Sequence, residues 1–135
     1  MFFSKNNNQN TDLTKVSALL IHAAKIDENY SNKEEEIIKQ TIIKLGANSN
    51  DLKRIMEDGK KIEENTNQIL EFTKEIKKMN EEQKIKIVEA LWQIIYSNNE
   101  ADIYETNLMR RLTGLLYLDS KIVGTIKDKI KRKNL

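Results

Sequence analysis

The sequence predicts an all-α fold, a single-domain bundle of about seven helices. Apolar residues recur at intervals of three and four along most of the chain, whereas no run alternates at period two. The 135 residues include no proline and only four glycines, so few positions interrupt a helix. In addition, three of the expected helices open with a Ser, Asn or Asp that is followed three residues later by Glu or Gln, a pattern typical of helix starts.

The first two helices are expected on either side of a short loop. Helix 1 should span about residues 12–27, after a polar segment, 1–11, that we expect to be a flexible tail. Helix 2 should begin after Ser31, because Ser31 and Glu34 have the spacing of a capping box. Gly46 is a suitable residue to end it, since glycine readily adopts the left-handed conformation of a helix terminus.

Helix 3 has a thin apolar face, and helix 4 has one apolar stripe. Helix 3 should open at Asn48 or Ser49 and run through about Asn65, with Gly59 as a weak point in its interior. Helix 4 should start one or two residues later and end before the polar break at Asn80.

Two further capping boxes predict the starts of helices 5 and 6, Asn80 with Gln83 and Asp102 with Glu105. Helix 7 should begin near residue 120. The helical domain is therefore expected over 12–131, followed by a basic end at 132–135.

The chain contains two copies of one helix, acidic loop and helix pattern. Asp27 aligns with Asn98 and Glu34 with Glu105, a constant offset of 71 residues. The apolar positions around them align at the same offset. Because short loops join antiparallel neighbours, the bundle should contain two pseudo-symmetric helical hairpins, with helices 3 and 4 bridging the halves.

Composition excludes several classes of site. The chain has no cysteine and one histidine, so it cannot form disulfides, thiolate metal sites or a multi-histidine site within one subunit. No apolar stretch is long enough for a membrane span, and the start lacks the features of a secretory signal, so we expect a cytoplasmic protein. A net charge of +2 gives no reason to expect binding to nucleic acid.

Two interpretations of the acidic loops are open. Glu34 and Glu105 occupy the third position of their helices, where a carboxylate caps the helix start. Alternatively, Asp27 and Glu34 bind a divalent cation through their oxygen atoms, with Glu105 and Asn98 as a second, weaker site. No other cofactor is indicated.

Other polar and aromatic residues are candidates for contact with a protein partner. Helical spacing places His22 off the main apolar stripe, as a packed or surface residue rather than a catalyst. The basic end allows weak association with an anionic membrane surface. The candidate interaction residues are Glu28, Asn29, Trp92, Glu100 and Asp102. For Trp92 packing is the favoured role, and at a surface it would be a good anchor for a partner.

The repeated motif also resembles a known family. Leu20 to Asp27 with Glu34, repeated as Trp92 to Asn98 with Glu105, is similar to the TerB-like domain of tellurite resistance proteins and to the amino-terminal domain of the co-chaperone DjlA. The resemblance covers about residues 13–129. The family usually has Asp-Gly in both loops, and this chain departs from that pattern at Asp27-Glu28 and Asn98-Asn99.

The resemblance implies an all-helical bundle with no established enzymatic chemistry. We therefore expect a non-enzymatic interaction module, in a tellurite-type stress response or in complex assembly of the co-chaperone kind. The alternative is a divalent-metal-binding protein that uses the first acidic loop. Oligomeric state does not follow from the sequence.

Overall fold

Seven helices and no strand occupy the part of the chain that the structure describes, which confirms the all-α prediction. The structure is a computed structural model that describes the backbone of 2–26, 31–66, 70–97 and 103–133, and side chains within 12–26, 31–66, 71–97 and 107–133. The helices are α1 (Phe2–Lys25), α2 (Asn32–Lys44), α3 (Leu52–Asn65), α4 (Leu70–Ile76), α5 (Glu81–Tyr96), α6 (Ile103–Leu115) and α7 (Ser120–Lys133).

The first helix lies at the centre of the bundle. Its second half is buried on nearly every side, including Val16, Leu19 and Leu20, and it packs against α2, α3, α4 and α5. A helix that is apolar all round needs such complete coverage. The helix also begins at Phe2, about ten residues before the predicted start, because the polar segment before Asp12 has no proline or glycine to interrupt the helix.

Two predicted capping boxes are present. Ser31 and Asn80 each accept a hydrogen bond from the backbone N–H three residues later, and each box is closed by a bond back to the cap N–H. Gly46 has φ 111°, which confirms it as the left-handed residue after α2. These bonds satisfy backbone groups that a helix start leaves without partners.

The start of α3 differs from the prediction. Asn48 forms a turn instead of a cap: its side-chain oxygen accepts from the Asn50 N–H at 3.2 Å, and its carbonyl accepts from the Asp51 N–H at 2.9 Å. The helix then begins at Leu52, with no side-chain cap from Asp51. An Asn side chain that bonds to nearby backbone favours a turn over a helix.

The contact between α1 and α3 is the most extensive in the bundle, and Gly59 lies in it. A Cβ atom at Gly59 would lie 1.8 Å from Ser17 Oγ and 3.1 Å from the Thr14 carbonyl oxygen. Ser17 is fully buried there, and its hydroxyl lies 2.8 Å from the Thr14 carbonyl and 3.2 Å from that of Ile55. The glycine that the sequence marks as a weak point therefore allows two helices to approach closely.

The bridging helices behave differently from each other. α4 contacts α1 and α6, so it joins the two halves as predicted, whereas the contacts of α3 within the described residues are mainly with α1 and α2. In the second half, the Lys84 ammonium donates to the Leu116 carbonyl at 2.9 Å and thereby satisfies a carbonyl at the end of α6. No helix in the described ranges has both the length and the apolar character needed to cross a bilayer.

Candidate functional surface at the loop end of the bundle

The residues that flank the two acidic loops meet at one end of the bundle, which we call the loop end. Ile26, directly after α1, lines an open cleft of about 510 Å³ together with Asn107, Leu108 and Arg111 from the first turns of α6. The cleft brings together the residue before the first loop and the helix after the second.

The packing of α2 against α5 agrees with this placement. Lys86, early in α5, has its ammonium 3.4 Å from the carbonyl of Lys44 at the end of α2. Gln93, late in α5, lines a cleft with residues along α2, from Lys33 to Lys44. Because early α5 lies at the end of α2 and later α5 still packs along α2, the two helices are antiparallel.

Glu34 is the loop-end carboxylate that the structure describes in most detail. Its side chain is 1% exposed. The carboxylate oxygen Oε1 accepts from the Ser31 N–H at 3.0 Å and from the Ser31 hydroxyl at 2.9 Å, and that hydroxyl accepts from the Glu34 N–H at 3.2 Å. These are the bonds of the capping interpretation, and the positive end of the α2 dipole also favours the charge.

A comparison with known families identifies this architecture. The model of the tellurite resistance protein TerB family matches residues 13–128, most of the chain. The chain belongs to the TerB family. This confirms the resemblance inferred from the repeated motif, and no curated protein or solved structure matches the chain.

Apart from Trp92, the other predicted site residues of this TerB domain lie outside the residues or side chains that the structure describes. Asp27, Glu28, Asn29, Asn98, Glu100 and Asp102 belong to 27–30 and 98–102, and Glu105 lies in α6 at a position whose side chain is not described. Among the side chains that are described, no three His, Cys, Asp or Glu residues are grouped so as to hold a metal ion. Metal binding and protein contact at the loops therefore remain predictions.

The structure decides between the two roles considered for Trp92. The residue is 3% exposed, which agrees with packing and excludes it as a candidate interaction residue at the surface. Its ring stacks on that of Tyr96, with centroids 5.9 Å apart, and the Lys127 ammonium lies 5.3 Å from its centroid. The indole N–H has no hydrogen-bond partner among the described residues. Trp92 therefore has the packing role, which its helix periodicity allows, and is not a surface anchor.

Sequence reasoning did not identify Glu63, which organises the neighbourhood of His22. The Lys25 ammonium lies 2.8 Å from Glu63 Oε2, and His22 Nδ1 lies 3.5 Å from Glu63 Oε1. The Glu63 side chain is only 11% exposed, so this charge needs its partners. Glu63 lies four residues after Gly59 and therefore on the face of α3 that meets α1, but the sequence alone did not mark that face as a helix contact.

Proposed function

We propose that this TerB domain is a non-catalytic interaction module whose binding surface is the loop end. The observation that carries the proposal is the shared cleft of Ile26 with Asn107, Leu108 and Arg111. It supports a single surface because a partner in this cleft would contact the flanks of both acidic loops together.

The chemistry of the cleft suits a protein partner. It combines apolar side chains, Ile26 and Leu108, with an amide and the guanidinium of Arg111, which is exposed. Interfaces typically have such an apolar centre with polar groups around it, and arginine is enriched there. The acidic side chains of the loops would then form the rim and favour a partner segment that carries positive charge.

A matched pair of variants tests this surface. The loop variant neutralises four carboxylates: Asp27→Asn, Glu28→Gln, Glu100→Gln and Asp102→Asn. The control variant neutralises four exposed carboxylates outside the loops and their flanks: Glu71→Gln, Glu81→Gln, Glu82→Gln and Asp119→Asn. Both carry the same net charge, so only the location of the change differs between them.

Affinity capture from the source cell, read by quantitative mass spectrometry, compares the two variants with the wild type. The proposal predicts that proteins enriched by the wild type are lost by the loop variant and kept by the control. Equal retention by both variants would refute the loop end as the binding surface. Arg111→Ala and Leu108→Ala then test the cleft itself.

Metal binding at Asp27 and Glu34 is the alternative that we propose to test beside it. The observation in its favour is the burial of the Glu34 carboxylate next to an acidic segment, since a buried charge is stabilised by hydrogen bonds or by a cation. Calorimetric titration with calcium, magnesium, manganese and zinc would be compared between wild type and Asp27→Ala. Absence of heat with wild type for all four ions would end this alternative and leave the interaction proposal unaffected.

A further inference from the structure

The last helix carries a large excess of positive charge, whereas the rest of the chain has a net negative charge. α7 contains six lysine or arginine residues and one aspartate, a formal charge of +5. The whole chain carries +2, so the remainder carries −3. The six cations are Lys121, Lys127, Lys129, Lys131, Arg132 and Lys133.

These cations face solvent because the apolar side of α7 is already covered. Val123, Ile126 and Ile130 are buried against the bundle, where α7 packs on α5. All six cations except Lys127, which lies over the Trp92 ring, are exposed. Since a helix presents residues in all directions, the packing of one face turns the others outward.

The charges on α7 are not neutralised by neighbouring carboxylates. Within the described side chains, none of the six cations has a carboxylate oxygen within 4.0 Å, whereas Lys25, Arg54 and Lys78 on other helices each have one. Asp128, the carboxylate of α7, is near Tyr96 of α5. The burial of Tyr96 and the negative charge of Asp128 both raise the pKa of the Tyr96 hydroxyl. The outer face therefore keeps an excess of positive charge.

The direction of α7 places its most basic turn at the loop end. Leu116, before α7, accepts a hydrogen bond from Lys84 at the start of α5, while Lys127 lies over Trp92, well along α5. α7 therefore runs parallel to α5. At a rise of about 1.5 Å per residue, 129–133 extend past the position of Trp92 towards the end of α5.

We propose that the outer face of α7 is an electrostatic docking surface for membranes that contain anionic phospholipid. Such binding requires a density of cations on a convex face and no shape complementarity, and each lysine or arginine contributes about 1 kcal/mol. A protein interface would call for an apolar anchor, and the exposed residues of α7 are polar. Binding to single-stranded nucleic acid would be helped by aromatic side chains for stacking, and α7 has none.

The test is co-sedimentation of the full chain with vesicles of phosphatidylcholine alone or with one-third phosphatidylglycerol. The α7 variant carries Lys129→Gln, Lys131→Gln and Arg132→Gln. The matched control carries Lys53→Gln, Lys60→Gln and Lys61→Gln, three exposed residues of α3, so that both variants lose the same charge. Circular dichroism checks that both remain helical.

The wild type should bind the anionic vesicles and not the neutral ones, and the binding should disappear between about 0.05 and 0.5 M salt because screening shortens the range of the attraction. The α7 variant should bind about a hundredfold more weakly, at about fivefold per cation. The affinity of the α3 control for the same vesicles should fall by less than a few-fold.

Three results would overturn the proposal. The first is a failure of the wild type to bind anionic vesicles at low salt. Equal losses in the two variants would mean that net charge, not the α7 surface, drives the association. Tighter binding to a short duplex DNA than to the vesicles at the same salt, again lost in the α7 variant, would assign the surface to nucleic acid instead.

Discussion

The contact between Gly59 and Ser17 makes the sharpest prediction about stability, because an alanine at Gly59 has opposing effects. Replacing glycine by alanine inside a helix normally stabilises it by about 1 kcal/mol. Here the added Cβ would lie 1.8 Å from Ser17 Oγ and 3.0 Å from Ser17 Cβ, both too close for the neighbour to stay in place. Ser17 is fully buried, so it cannot swing into solvent.

The cost can be estimated from what must move. Turning the Ser17 hydroxyl away sacrifices its hydrogen bonding to the Thr14 and Ile55 carbonyls, about 1 kcal/mol. The remaining contact with the Thr14 carbonyl oxygen, at 3.1 Å, forces α1 and α3 apart, and overpacking of this kind costs about 1–3 kcal/mol. After the gain in helix propensity, Gly59→Ala should lower the free energy of unfolding by about 2 kcal/mol.

Urea unfolding followed by circular dichroism measures this change, and Gly124→Ala is the matched control. Gly124 lies inside α7, and an added Cβ there has no neighbour within 4 Å among the described residues, so this variant should gain up to about 1 kcal/mol. Adding Ser17→Ala to Gly59→Ala removes the closest clash and should recover about 1 kcal/mol. A Gly59→Ala variant as stable as Gly124→Ala would refute the close approach of α1 and α3.

Three other expectations concern single side chains. Glu34→Ala removes the carboxylate that closes the capping box and should cost about 1–2 kcal/mol in urea unfolding, against less than about 0.5 for exposed Glu36→Ala; equal costs would contradict the capping role. Burial and the nearby Glu75 raise the pKa of Asp12 above 3.8, so folding becomes less favourable as pH rises through the folded pKa. Asp12→Asn should therefore stabilise the domain at neutral pH and not below pH 3.8, and identical effects at both would exclude this cause. Trp92, the only tryptophan, should resist iodide quenching until urea unfolds the domain; ready quenching of the native protein would place it at the surface.

Local signals in the sequence were sufficient to predict the helices and their family. Ser31 and Asn80 carry capping information within four residues, and Gly46 needs only its own conformational freedom to end α2. The repeated motif spans both halves and led to the TerB family. Such features are predictable because they depend on neighbours along the chain.

Features that depend on contacts between helices were not predictable in the same way. The periodicity of α5 predicts which face of the helix Trp92 occupies. It does not predict that Lys127 of α7 lies over the Trp92 ring. Glu63 looks like an ordinary surface charge until α1 places Lys25 and His22 beside it. Likewise, Asn48 could start a helix or a turn, and the choice depends on how the chain must turn from α2 into α3.

Both loop flanks lie at one end of the bundle, and the absence of cysteine allows this placement to be measured with introduced pairs. A pair of cysteines at Ile26 and Asn107, which line the same cleft, should be joined rapidly by a short bis-maleimide. A pair at Ile26 and Tyr117 provides the control, since Tyr117 is exposed beside Lys77 and adjoins Leu116, at the end where α5 begins. Fast linkage of the first pair and not of the second is the predicted result. Equal rates, or linkage of the second pair alone, would contradict the shared loop end and the interaction surface proposed there.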